Sequence, residues 1–408
     1  MPSKRVNRRK EVIKKRAMQA LNKPSQYGPD IDISRYLSEA KKIEMDLYGE
    51  STRRKMLSLG IDVESSASGR YYQVDKYVLE ILSKHPGVEV LSLEEALDKH
   101  RDWIYDYYWN VVPVDMDKYT AIAELYDRTG YVVIVKDNVK VQYPMQICLL
   151  VRSSGTIQAP HNIIIVGRNS ELNVVTGCGI IRSVSSIHAG VTEFYLGEGA
   201  RVNYIMIHGW SRYQHVRPRS GAILKDKAQF INHYITFSPS KTLQSYPQVH
   251  LVGDNAFACQ TSVLVGSKDE NIDIGNAVFL KGKGSRGEII SRLLAKGSSK
   301  ITSRAKIWGY GENSKGHIEC TGMLLSDEAD IQTIPELRAY TPNTRLTHEA
   351  SIGKLAEDEI IYLMSKGFSR EEAEGILIRG FMRIKPYGIP KQLEITLEQA
   401  IEIASRGM

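Results

Sequence analysis

The second half of the chain is punctuated by turn-forming clusters at Gly282–Gly287, Lys296–Lys300, Gly311–Gly316, Ser326–Asp330 and Thr341–Arg345, about every 14 to 15 residues. Each pair brackets a short apolar run, a spacing that a long amphipathic helix does not produce. Two such strand–turn steps would make one coil of about 30 residues, the pattern of a β-solenoid. A β-sandwich of separate hairpins also repeats its strands closely and stays open on pattern alone. The lack of two-residue Asn-Gly or Asp-Gly hairpin turns favours the solenoid.

Three zones follow. Residues 1–118 read as a mostly helical N-terminal region, in which Arg35 to Leu47 forms one amphipathic segment and Tyr77 to Leu82 starts another. Ser92-Leu93-Glu94-Glu95 offers a capping box ahead of Ala96 to Tyr108. The aromatics Trp103, Tyr105, Tyr107, Tyr108 and Trp109 read as packing surface rather than a ligand cage. Residues 119–347 form the β core, with strand-like runs at Tyr131–Val135, Asn162–Val166, Leu172–Val175 and Arg201–Ile207. Residues 348–408 return to helix. Ala356 to Lys366 stops at Gly367, Ser369-Arg370-Glu371-Glu372 caps a helix through Phe381, and Leu397 to Ala404 adds a last amphipathic turn. The fold class is therefore mainly β with helical ends: a parallel β-helix core whose flanking helices cover its open edges.

With 42% apolar and 25% charged residues in 408, the composition is that of a soluble globular chain. No apolar run is long enough to span a bilayer, and a cytoplasmic location is expected. The net charge of +7 is concentrated in Lys4, Arg5, Arg8, Arg9, Lys10, Lys14, Lys15 and Arg16. That cluster reads as a solvated, partly frayed terminus rather than a nucleic-acid arm, because no aromatic-interleaved basic surface accompanies it.

Cys148, Cys178, Cys259 and Cys320 are the four cysteines, and none lies in a C-x-x-C pair. A zinc ribbon or ferredoxin motif is thereby excluded. Cys320 shares a strand face with Ile318, Gly322 and Leu324, so it should point inward beside the open space left by Gly322, with His317 and Glu319 on the opposite face. A cysteine so placed reads first as a small buried hydrophobe. His348 and Glu349 are adjacent where strands give way to helices and must point in opposite directions. Thiol, imidazole and carboxylate are all ligand types that iron accepts; a capping or salt-bridging pair at a domain junction is the competing reading of the last two. His208, His215, His233, His250 and His317 are scattered without metal spacing, and Gly282–Gly287 reads as a turn because no helix follows it.

Several segments together resemble the SufB/SufD scaffold proteins of the SUF iron–sulfur assembly system. They are Gly130–Lys136 continuing to Val139, Val141 and Pro144; Thr176-Gly177-Cys178; Tyr246–Asn255; Cys320–Leu325 extending to Ile334-Pro335-Glu336; and His348-Glu349-Ala350 running into Tyr362–Gly367, Glu371-Glu372-Ala373 and Gly380-Phe381. The resemblance covers about Trp103 to Met382 and implies the same parallel β-helix.

It also implies a function: a non-enzymatic scaffold that assembles a transient, nascent Fe–S cluster at a protein–protein interface. A SufC-type ABC ATPase would dock on the C-terminal region, with Glu371, Glu372 and Phe381 as contact residues. Cys320 followed by His348-Glu349 is similar to the SufB branch, whereas the SufD branch usually has histidine-glycine at the later position. By that likeness Cys320, Glu349 and His348 are the implied metal ligands, in a homodimer formed through the end of the β-helix. The chain departs from SufB at Leu224, where that branch carries a second, sulfur-accepting cysteine, and at Leu346-Thr347, where an acidic residue is usual. Neither a sulfur donor nor a flavin is specified. A SufD-like structural partner that binds no cluster is the alternative; a β-helix enzyme is disfavoured because no carboxylate cluster shares a strand face.

Overall fold

The computed structural model describes residues 4–40 and 49–383, with 394, 395, 398, 399 and 402 beyond them. Its centre is a β-solenoid built from a ten-stranded and a thirteen-stranded sheet. Within both sheets the solenoid strands run parallel and in register. Arg201 lies beside Gln229, Gln229 beside Phe257, Phe257 beside Arg286, Arg286 beside Lys315 and Lys315 beside Arg345. One coil is thus 28 to 30 residues, as the turn spacing predicts.

The turns explain why that period holds. Asn138, Asn169, Gly199, Lys227, Asn255, Gly284 and Asn313 stack at one corner, each with φ between +53° and +65°. Left-handed backbone costs most residues energy, which is why asparagine and glycine fill six of these seven positions. The Gly282–Gly287 segment is one of these corners, joining the strands Asn271–Leu280 and Arg286–Ala295.

Alternation along each strand sorts its side chains into three apolar clusters. The inward faces of the two sheets meet in a continuous interior that includes Leu172, Val202, Phe230, Leu264, Leu293, Ile318 and Cys320. The outer face of the thirteen-stranded sheet is covered by N-terminal elements, with Ile163, Val191 and Tyr195 under Tyr105, Tyr108 and Trp109. The aromatic run is packing surface, as expected. Met56 and Leu59 from the N-terminal side, and Ile378 and Met382 from the C-terminal helix, cover the outer face of the other sheet.

Three expectations need correction. The basic terminus is not frayed: Lys4–Ala20 is a helix whose Val6, Ile13, Ala17 and Ala20 are buried in one stripe, while Arg5 and Arg16 pair with Asp106 and Asp115 at 2.7 and 2.6 Å. Apolar spacing of seven, four and three residues docks the helix and turns its charges outward. Tyr77–Ser83 is a strand, paired antiparallel with Gly69–Val74. Its turn is Asp75-Lys76, with Asp75 at φ +51°, and its Tyr-Val-Leu-Glu-Ile-Leu run fits a half-buried strand as well as a helix. The segment beginning at Arg35 holds only a 3-10 turn, Ile33–Tyr36, before residue 41 and the undescribed stretch.

The capping at Ser92 is present, but that helix is short, Leu93–Lys99. The C-terminal helices are Glu357–Ser365 and Arg370–Met382, the second opened by the Ser369/Glu372 capping box. Most of residues 397–404 lies outside the described residues. These helices cover flanks of the solenoid rather than its ends. The first coil is closed by the antiparallel strands Tyr77–Ser83 and Val88–Ser92. The last coil, Asp330–Ala339 and Arg345–Lys354, is mostly exposed, and among the described residues no further strand pairs with either. No helix among the described residues is long and apolar enough to cross a membrane.

Candidate functional site

Cys320 sits in the strand Lys315–Leu324, directly between Ser291 and Ala350 of the neighbouring strands. It is 1% exposed and faces the interior with Ile318. Burial pushes its thiol above the ordinary value, and a hydrogen bond with Ser291 opposes that rise. The thiol is therefore held protonated until a metal or base takes its proton. The space beside Gly322 is not open: an added Cβ would come within 3.1 Å of Ile331 and 3.3 Å of Ile352. Side chains from the last coil fill the space beside Gly322.

His348 and Glu349 belong to the final strand, Arg345–Lys354, rather than to a junction after it. His348 lies beside Ile318 and therefore shares the inward side with Cys320. It is two residues out of register from Cys320, which strand geometry makes roughly 8 Å between their Cα atoms. His348 is half-buried, and its Nε2 is sequestered without a hydrogen-bond partner. Glu349 points the other way, exposed and beside Glu319, whose carboxylate accepts from Arg292 at 2.6 Å. On that outer face His317 Nδ1 meets the Thr347 hydroxyl at 2.8 Å. One chain thus brings a thiol and an imidazole to the inner side of the open end, and leaves a free carboxylate on the outer side.

The other expected contact residues lie on the C-terminal helix. Glu371 is exposed on a cleft of about 650 Å³ between this helix, the 324–327 turn and Lys354. Glu372 is committed to its cap, its carboxylate accepting from the Ser369 amide at 2.8 Å. Phe381 is half-buried against the apolar cluster that holds the helix down. Burying its neighbours Ile378 and Met382 there contributes about 1.5–3 kcal/mol each.

Two family models cover nearly the whole of this architecture. The SufBD core domain of the SUF system for FeS cluster assembly matches residues 149–381, and the SufBD N-terminal region matches residues 57–147. The chain belongs to the SufBD family. An iron–sulfur cluster assembly SufBD family protein of Methanothermobacter thermautotrophicus is 37% identical over 409 residues, covering 97% of this chain and 98% of that one. A relative of the same description from Archaeoglobus fulgidus is 39% identical over 364 residues, covering 88% and 98%. One from Staphylococcus epidermidis is 27% identical over 375 residues, covering 90% and 79%.

Within this SufBD fold, Leu224 is fully buried and faces the interior from the strand Arg219–Leu224, so no thiol stands at that point of the lumen. Sequence reading also missed one grouping. Among the described residues, the fold gathers Cys178, His188 and His208 as potential metal ligands, all buried. His208 lies directly beside Cys178 on the next coil, 30 residues on. Local ligand spacing cannot reveal such a pair; the solenoid period could have.

Proposed function

We propose that this protein is a SufB-like scaffold on which a nascent iron–sulfur cluster, its cargo, is assembled between two copies of the chain. The observation that carries the reading is the position of Cys320 and His348 on the inner side of a solenoid end whose last strands have edges unpaired among the described residues. Exposed strand edges favour pairing with another chain, and a two-fold contact would bring two such ends together. Two Cys320 thiolates fall short of the four that hold a stable cluster, so His348, Glu349 or small thiols would complete the set. Incomplete thiolate ligation suits a cluster that has to leave.

ATP hydrolysis would belong to a SufC-type ABC ATPase docked on the C-terminal helices. Tyr362 at 61% exposure, with Ile361, Met364 and Phe368 also exposed, offers an apolar contact there beside Glu371. Tyr362→Ala with Glu371→Lys should weaken co-purification of the ATPase. Unchanged binding would move the contact elsewhere. Glu372 and Phe381 are poorer probes, because each also holds its own helix in place.

Anaerobic reconstitution with ferrous iron and sulfide tests the scaffold reading. Wild type should take up iron and sulfide with a cluster absorption spectrum, and Cys320→Ala should lose it. A second reading, a SufD-like chain that holds the ATPase and carries no cluster, has Leu224 in its favour. Equal, negligible uptake by wild type and Cys320→Ala would establish that reading instead.

A further inference from the structure

A cavity of about 40 Å³ lies between the two sheets, with Cys178, His188 and Tyr234 in its lining. Five strand steps separate the strand of Cys178 from that of Cys320, roughly 24 Å along the solenoid. Cys178 and His208 come from neighbouring strands of one sheet, Glu171–Ile180 and Arg201–Gly209. His188 comes from a short strand of the other sheet, Ser186–His188. One ligand atom of each residue lies within 4.8 Å of the other two.

We propose that Cys178, His188 and His208 bind a single divalent transition-metal ion inside the solenoid, independently of the Cys320 end and of the scaffold reading. One thiolate with two imidazoles is a donor set suited to zinc, iron or copper and unsuited to magnesium or calcium. The hydrogen bonds around the two rings are those of poised ligands. Gln158 donates its amide to the carbonyls of Asp75 and Leu150 at 2.9 and 3.0 Å, which fixes its oxygen 2.8 Å from His188 Nδ1. His188 must therefore donate from Nδ1, leaving a lone pair on Nε2. Such an outer partner commonly orients a metal-bound histidine.

His208 Nδ1 is 2.8 Å from the Tyr234 hydroxyl, and its Nε2 is fully buried without a hydrogen-bond partner. Gly190 keeps the side of His188 Nε2 clear, since a Cβ there would stand 3.2 Å from that nitrogen. Binding would release one proton, from the Cys178 thiol. Metal–nitrogen and metal–sulfur bonds of about 2.0–2.3 Å ask the three side chains to close only slightly. The cavity that Cys178 and His188 line is wide enough to hold water. An ion so held would tie the two sheets together across the lumen.

The test is metal content and ligation of the full chain, purified anaerobically from cells grown with cobalt, zinc, iron or copper in excess. Wild type should retain about one ion per chain, and the cobalt form should show a near-ultraviolet thiolate-to-metal band. X-ray absorption on wild type should count one sulfur and two imidazole nitrogens, and which metal is retained distinguishes the candidates. Cys178→Ser and His208→Gln should each lower retention at least about tenfold, whereas Cys320→Ala should keep the thiolate band. A wild-type chain without stoichiometric metal, or a band lost in Cys320→Ala, overturns the proposal. So does a sulfur count other than one, a readout that stands even where a variant fails to fold.

Discussion

The middle of the solenoid and its last coil are built on the same repeat and end in opposite conditions. The strand Glu171–Ile180 is buried at every position but its first, while Arg345–Lys354 is exposed at most of its positions. In the middle, the interior is packed and both outer faces are covered. At the end, the last strands are mostly exposed, and among the described residues their outer edges are unpaired. Periodic folding makes a coil cheap to add, but a terminal coil always lacks one neighbour. In this chain His348 and Glu349 stand on that incomplete coil and Cys320 on the strand just inside it, whereas the Cys/His group lies buried in the complete ones.

The largest effect should come from breaking the cover on the sealed half. Glu193 is fully buried in the strand Val191–Leu196. Its carboxylate accepts from the amides of Trp109, Asn110, Val111 and Val112 at 2.7 to 3.0 Å, and His161 Nε2 lies 2.8 Å away. One side chain thus fixes the turn that carries the aromatic cover, including Trp109 at φ +54°. Glu193→Ala leaves several buried donors unsatisfied and should cost about 3–5 kcal/mol in denaturant unfolding. A loss below about 1 kcal/mol would mean that the cover is held mainly by apolar packing.

A smaller effect, dependent on pH, is expected where the sealed half buries an acid. Burial pushes the Glu270 carboxyl up to about 8 from 4.5, against opposing hydrogen bonds from the Ser240 hydroxyl and amide. The folded-state value lies above the unfolded one, so the folded chain binds more protons between those two values. The stabilising contribution is whole below about pH 4.5 and is lost as pH rises through about 8. Glu270→Gln should flatten that decline and stabilise the chain at pH 8 by up to about 4 kcal/mol. Identical pH–stability curves for the two proteins would place the titration elsewhere.

How much of this was legible depends on the range over which the signal acts. The coil period showed through the turn clusters because each corner needs its own left-handed residue, as at Asn255, Gly284 and Asn313. The inward side of Cys320 followed from simple alternation. The capping box at Ser369 is contained within four residues and was read directly. Tyr77–Ser83 was misread because a short run of apolar residues fits either period, and its hairpin partner lies across a turn of ordinary residues. The cradle around Glu193 joins residues about eighty apart, and the pairing of Cys178 with His208 needs the coil length in advance. Gly322 misled for a related reason: what fills the space beside it comes from Ile331 and Ile352, on other strands.

The smallest expected change in the single chain is at the open end, where it should nonetheless separate two descriptions of that end. Ile352 is 42% exposed in the last strand, and only its flank meets Gly322. If the free edges pair with a second copy, Ile352→Lys sets two like charges near the two-fold. That should weaken the dimer by about 2 kcal/mol, roughly thirtyfold in dissociation constant by sedimentation. The same substitution should change monomer stability by less than about 1 kcal/mol, because little apolar surface is lost. Iron uptake should then fall in proportion to the dimer remaining. Full uptake by a monomeric Ile352→Lys chain would show that Cys320, His348 and Glu349 need no second solenoid, and the incomplete coil would then be complete enough for its chemistry.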